Sequence, residues 1–159
     1  MRISILLISA LALIPSLPVQ AAEWSTYANS RYGYVVGVPP GFTGQGESDS
    51  GDGQVFRSGK GTETLRVWGG FLTEKDFSAE IAWRQKQDAS DGLKITYQAS
   101  TPKWASYSGT KGGLIHYSRA IARCGDQYAM FELDYSKAEA ARLDPVVGKL
   151  VGSLQAGRC

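Results

Sequence analysis

Residues 127–154 read QYAMFELDYSKAEAARLDPVVGKLVGSL, and this stretch decides the fold. Ala129, Phe131, Leu133 and Tyr135 recur at every second position, the period of a strand with one face turned inward. Ser136 and Glu139 then have the spacing of a capping box, in which hydroxyl and carboxylate satisfy each other's free backbone amides at a helix start. Pro145 is expected to break that helix or restart it, with Asp144 as the new N-cap, because the first helical position does not need the amide hydrogen that proline lacks. Beyond it, Val147, Leu150, Val151 and Leu154 fall at i, i+3, i+4 and i+7. Such an apolar stripe needs a sheet face beneath it.

The same alternation runs upstream. Tyr32, Tyr34, Val36 and Val38 share one face of a strand that Pro39-Pro40-Gly41 stops. After a loop of small and acidic residues, 54–57 and 65–71 read as a hairpin around Ser58-Gly59-Lys60-Gly61. Further β segments fit 94–99, 103–108 and 114–123, the last two joined by Lys111-Gly112-Gly113. Between strands, Thr73 and Asp76 signal a helix start near Phe77, and Gly92 is placed to end it. The expectation is an α+β fold, a twisted and mainly antiparallel sheet covered by two helical segments.

The N-terminus carries a different message. Arg2 precedes an unbroken apolar run to Ile14, Pro15 and Pro18 follow, and Val19-Gln20-Ala21 ends the segment with a small residue. Those are the proportions of a signal peptide over residues 1–21, too short for a transmembrane span. The expected product is one globular domain over residues 22–159, periplasmic or secreted, with no stable membrane span once the signal is removed. Roughly 137 residues suit a single core. Only Arg2 is lost among the charges, so the formal balance falls from +2 to about +1. Basic and acidic residues are mixed along the chain, without the basic stripe a nucleic-acid binder uses. Cys124 and Cys159 are the only cysteines. In an oxidising compartment they are expected to form a disulfide, closing a loop whose entropy contributes about 4 kcal/mol.

Trp24, Tyr27 and Asn29 precede Arg31-Tyr32-Gly33-Tyr34-Val35-Val36-Gly37-Val38-Pro39-Pro40-Gly41-Phe42. This resembles the opening of PsbP-like domains, an aromatic-rich strand ending in proline, spacer and aromatic. It is also similar to a group of small exported alphaproteobacterial proteins, with which Ser50-Gly51-Asp52-Gly53-Gln54-Val55-Phe56 is shared in pattern. The resemblance is closest over residues 24–56 and implies a PsbP-like fold whose members work by binding. Fold alone does not transfer a function.

Chemistry offers few motifs. His116 is the single histidine, no G-x-S-x-G elbow presents Ser106, Ser108 or Ser118, and no catalytic residue is assigned. A hydrolase working with two carboxylates is the alternative, although spacing alone does not pair Glu63, Glu80, Glu132 or Asp134 in a cleft. Glu47, Asp49 and Asp52 crowd a loop whose oxygen-rich composition suits calcium, making a calcium-binding module a further alternative. The EF-hand register fails there, since counting from Ser48 puts Gly59 where the bidentate glutamate belongs. Zinc ligands of the histidine and thiolate kind are not clustered in the sequence. Four tryptophans are many for this length, and Trp24 and Trp104 are the ones expected at the surface. The reading is an exported, non-catalytic binding or accessory protein that uses Glu47, Asp49, Asp52, Trp24 and Trp104 on an envelope protein or component.

Overall fold

The computed structural model describes residues 23–59 and 61–158. The expected signal peptide and the Cys159 half of the expected disulfide lie outside them. Ten strands and two α-helices follow in the order β1 (Ser25–Asn29), β2 (Tyr34–Val38), β3 (Phe42–Glu47), β4 (Gly53–Ser58), β5 (Thr64–Phe71), α1 (Phe77–Ser90), β6 (Lys94–Thr101), β7 (Trp104–Lys111), β8 (Leu114–Ala122), β9 (Gln127–Ser136), α2 (Ala140–Ser153) and β10 (Gln155–Ala156). Seven form one sheet in the order β3-β4-β5-β9-β8-β7-β6, and β1-β2-β10 form a smaller second sheet. All pairings are antiparallel. The architecture is α+β.

Alternation along β9 sorts its side chains onto two faces. Ala129, Phe131, Leu133 and Tyr135 join Leu65 and Val67 beneath β2 and α2, where Tyr34, Val36, Leu143, Val147 and Leu150 complete the main core. The opposite face is also buried for half its length. Tyr128 and Met130 pack with Ala105, Tyr107 and Ala120 under Phe77 and Ile81 of α1, with Trp68 at the margin. Trp68, out of phase with Leu65 and Val67, therefore has a core of its own. Beyond α1, that second face carries Arg66, His116, Glu132 and Asp134 instead of apolar groups, and their register places them side by side on three adjacent strands.

Three local findings differ from the expectations. Pro145 neither breaks nor restarts α2, which runs through it, and Ser136 makes no side-chain cap. A proline inside a helix costs about 3 kcal/mol. Burial of Leu143, Val147 and Leu150, at about 1.5–3 kcal/mol each, outweighs it. Asp144, freed from capping, accepts a hydrogen bond from the Tyr135 hydroxyl at 3.1 Å and fastens α2 to β9. At the start of α1 the cap is Asp76, whose carboxylate accepts the Ala79 amide at 2.8 Å. Thr73 serves Glu80 instead. Lastly, the loop of small and acidic residues expected before residue 54 is strand in its first half: Phe42–Glu47 form β3 and Gly53 begins β4, leaving Ser48–Asp52 as a tight turn.

Candidate functional site

The cavity with the most chemistry lies where α1 runs off the sheet. It measures about 420 Å³ and is lined by Arg66, Asp88, His116, Glu132 and Asp134, with Lys111 and Leu114 at its rim. Each residue arrives by strand alternation or helix phase. His116 pairs with Asp134 across β8 and β9, Glu132 with Arg66 across β9 and β5, and Asp88 comes down from the last turns of α1.

His116 is the hub. Its Nδ1 lies 2.7 Å from Asp134 Oδ1 and its Nε2 lies 2.7 Å from Ser118 Oγ. Arg66 grips the far oxygen of Asp134 at 2.5 Å and stands 3.7 Å from Glu132. Ser118 also lies within reach of the Tyr107 hydroxyl, which donates to Asp88 at 2.7 Å. One protonation state satisfies this whole chain: an imidazolium donates from both nitrogens, Ser118 passes a hydrogen to Tyr107, and Tyr107 donates to Asp88. A neutral ring with Nδ1–H would take the Ser118 hydrogen at Nε2 and leave the Tyr107 oxygen without a donor. Burial opposes the charged ring, but the hydrogen bond to Asp134 and the nearby Glu132 and Asp88 prevail, so the His116 pKa is raised. Burial drives Glu132 the other way for a carboxylate, pushing its pKa up despite His116 and Arg66. Asp134, though desolvated, is held below the usual range by His116 and Arg66.

The order Ser118–His116–Asp134 has the connectivity of a nucleophile–base–orienter triad. Ser118 is nonetheless completely buried beneath its neighbours. A nucleophile must be reached by its substrate, and here the serine is a structural link between His116 and Tyr107. The groups that do face the cavity are the carboxylates. Among the described residues, Asp88, His116 and Glu132 are the one set of three metal-ligating side chains whose ligand atoms all lie within 4.8 Å of one another.

The residues expected from sequence stand elsewhere, each with partners. Glu47 Oε1 accepts from the Tyr27 hydroxyl at 2.7 Å and from Asn29 Nδ2 at 3.0 Å, which ties β3 to β1. Asp52 accepts from the Ser48 hydroxyl, and that bond holds its pKa down. Arg31 donates to the Ser50 carbonyl, so the turn already carries a cation, with which calcium would compete. Asp49 is exposed. Both half-buried tryptophans have one face occupied, Trp24 by Lys149 Nζ at 4.5 Å and Trp104 by the Arg119 guanidinium at 4.3 Å. Ser48 and Asp52 border a shallow depression of about 390 Å³ that shares Arg66 with the His116 cavity, making the turn and the cavity neighbours on one surface.

The cluster around His116 was invisible as a cluster in the sequence, because Arg66, Asp88, His116 and Glu132 are scattered over 67 positions. One signal existed. Glu132 and Asp134 share one phase of the strand with Tyr128 and Met130, which marks a sheet face that changes from apolar to charged partway along.

No family model matches the chain, and no curated protein matches its sequence. The chain does resemble a solved structure, that of cyanobacterial PsbP (CyanoP) from Synechocystis sp. PCC 6803. That match has a TM-score of 0.63 at 15% identity and covers 91% of this chain and 98% of the other. The fold is PsbP-like. The narrower likeness to exported alphaproteobacterial proteins finds no support in these matches.

Proposed function

We propose that this chain is an exported, non-catalytic accessory protein that holds an envelope protein or component on the surface running from the Ser48–Asp52 turn across Arg66 to the His116 cavity. The observation that carries the reading is the cavity itself: ionic groups of both signs converge on a rigid sheet, with an exposed apolar residue, Leu114, at the rim. Concave sites with a few convergent polar groups are where ligands and partner side chains seat. The PsbP-like fold is consistent with accessory work, and the signal-like residues 1–21 with export. Among the described residues no helix is long and apolar enough to cross a membrane.

The test is affinity capture from an envelope fraction with the parent protein and with Leu114→Glu. A partner retained by the parent should fall at least tenfold with the variant, while Trp104→Ala, on the other side of the sheet, retains it. Equal capture by parent and Leu114→Glu would move the interface off the cavity.

A disulfide between Cys124 and Cys159 belongs to the same reading. Arg123 donates to the Tyr32 carbonyl at 2.9 Å and to the Gly157 carbonyl at 2.8 Å, which brings the C-terminal tail alongside the end of β8. Mass spectrometry of exported protein under alkylating, non-reducing conditions should find no modified thiol. Two alkylated cysteines would remove the bridge.

A further inference from the structure

We propose that Asp88, His116 and Glu132 form a site for a first-row divalent transition cation of the zinc class, bound through His116 Nε2 and one oxygen from each carboxylate. The inference deepens the proposed function and rests on it only for the purpose of the cation, not for its binding.

Three observations carry it. The three ligand atoms already lie within 4.8 Å of one another, so side-chain movements of about an ångström bring them to the separations that metal–ligand bonds near 2.0–2.2 Å require. The Glu132 carboxylate accepts no hydrogen bond among the described residues; its nearest partners are Arg66 at 3.7 Å and His116 at 3.9 Å, leaving its oxygens turned to the cavity. Behind the imidazole, Asp134 binds Nδ1 at 2.7 Å and is itself held by Arg66. A carboxylate on the far nitrogen of a histidine is the arrangement that orients metal-binding imidazoles and raises their basicity. Tyr107 gives Asp88 a comparable anchor.

Donor chemistry selects the ion. One nitrogen and two carboxylate oxygens suit zinc and its first-row neighbours, whereas calcium wants six to eight oxygens. Three protein ligands leave a coordination position open toward the cavity, where water or a donor atom of the bound partner fits. Charge agrees: with His116 neutral, as a ligand must be, Asp88, Glu132 and Asp134 outnumber Arg66 and Lys111 in the cavity lining. The ion displaces the Nε2 proton to solvent and takes its place, and Ser118 gives up Nε2 and keeps Tyr107 as its partner.

Isothermal titration of metal-free, untagged protein with zinc chloride, and separately with calcium chloride, decides the matter. The expected result is one zinc equivalent per chain and at least tenfold weaker calcium binding. His116→Gln and Glu132→Gln should each weaken zinc at least tenfold while melting as cooperatively as the parent. Asp134→Asn, a change to a positioning residue, should weaken it ten- to a hundredfold. No zinc heat in the parent, calcium binding as tight as zinc, or folded variants that bind like the parent would each overturn the site. Capture of the envelope partner in the presence and absence of a chelator keeps the two readings apart. Partner capture without zinc binding leaves the accessory function standing and removes the metal, and zinc binding without capture does the reverse.

Discussion

Replacing Glu80 by alanine is expected to lower the stability of this protein by about 3 kcal/mol, the loss that follows from breaking a buried ion pair at one end. Glu80 is completely buried on α1. One oxygen accepts from the Thr73 amide at 2.9 Å, the Thr73 hydroxyl at 3.0 Å and the Glu74 amide at 3.3 Å; the other accepts from Arg84 at 2.7 Å. The side chain thus closes the segment that joins β5 to the helix. Arg84 in turn donates to the Tyr128 hydroxyl at 2.5 Å and stacks over its ring, so Glu80 governs how α1 seats on the second core. Truncation takes this acceptor from all four donors, and a buried group left unsatisfied costs about 1–3 kcal/mol.

Chemical denaturation should show the midpoint fall without a change of slope, and thermal unfolding should shift by roughly 10 °C. Glu80→Gln, which keeps an acceptor but no charge, should lose about half as much. An unchanged midpoint for the alanine variant would mean that α1 is held by its apolar contacts alone.

The same contacts set the response to acid. Burial pushes the Glu80 pKa up, but the Thr73 donors and Arg84 outweigh it, and the group lies below its ordinary 4.5. A carboxyl whose folded pKa is depressed contributes stability that is fully present above its unfolded value and is lost as pH falls through the folded value. Glu63, which accepts from Ser58 and Arg142, is depressed likewise and adds to the same acid limb. Parent protein should therefore lose stability below about pH 4.5, more steeply than Glu80→Gln does.

Gly53→Ala is the second large effect, again at about 3 kcal/mol. The glycine faces Trp68 across the β4–β5 ladder. A methyl group there would sit on the Val67 carbonyl oxygen, 2.7 Å from Trp68 Cα. Strand β5 cannot retreat, because β9 holds its other edge. The turn before Gly53 cannot give either: Ser48 N donates to the Gly53 carbonyl at 2.9 Å, while Gly69 N at 2.9 Å and the Tyr34 hydroxyl at 3.0 Å both donate to the Asp52 carbonyl. Gly148→Ala is the control, since an added methyl on that exposed helical position meets nothing within 4 Å. It should be neutral or stabilising by up to about 1 kcal/mol. Melting curves that rank the two variants together would show that space at Gly53 is not the constraint.

Two residues of the Ser50–Phe56 stretch have structural roles in this turn. Its Asp52 fastens the turn through Ser48, and its Gly53 lets two strands meet. Where a local pattern had one physical meaning, it could be read directly. The alternation of Ala129, Phe131, Leu133 and Tyr135 needed a core on one side, the Val147–Leu154 stripe needed a sheet, and Gly92, with φ +96°, had to end a helix. Where a pattern had two meanings it misled. Pro145 ends a helix by local rules, yet the buried stripe around it carried α2 through. β3 escaped notice because Thr43, Gly44, Gln45 and Gly46 have no apolar alternation, and only pairing with β4 makes that segment a strand.

The sequence by itself determined the α+β class, the places of the two helices and the phases of the strands with apolar alternation, because those depend on neighbours one to four residues apart; β1, β3 and β10 it did not mark. Only the tertiary structure decided what the polar phase of β9 was for. Glu132, Asp134, His116, Arg66 and Asp88 come from four elements, and they meet only because the sheet's register aligns three strands and α1 stops short of covering them. Contacts of that kind are set by packing across the sheet, which no local spacing along the chain encodes.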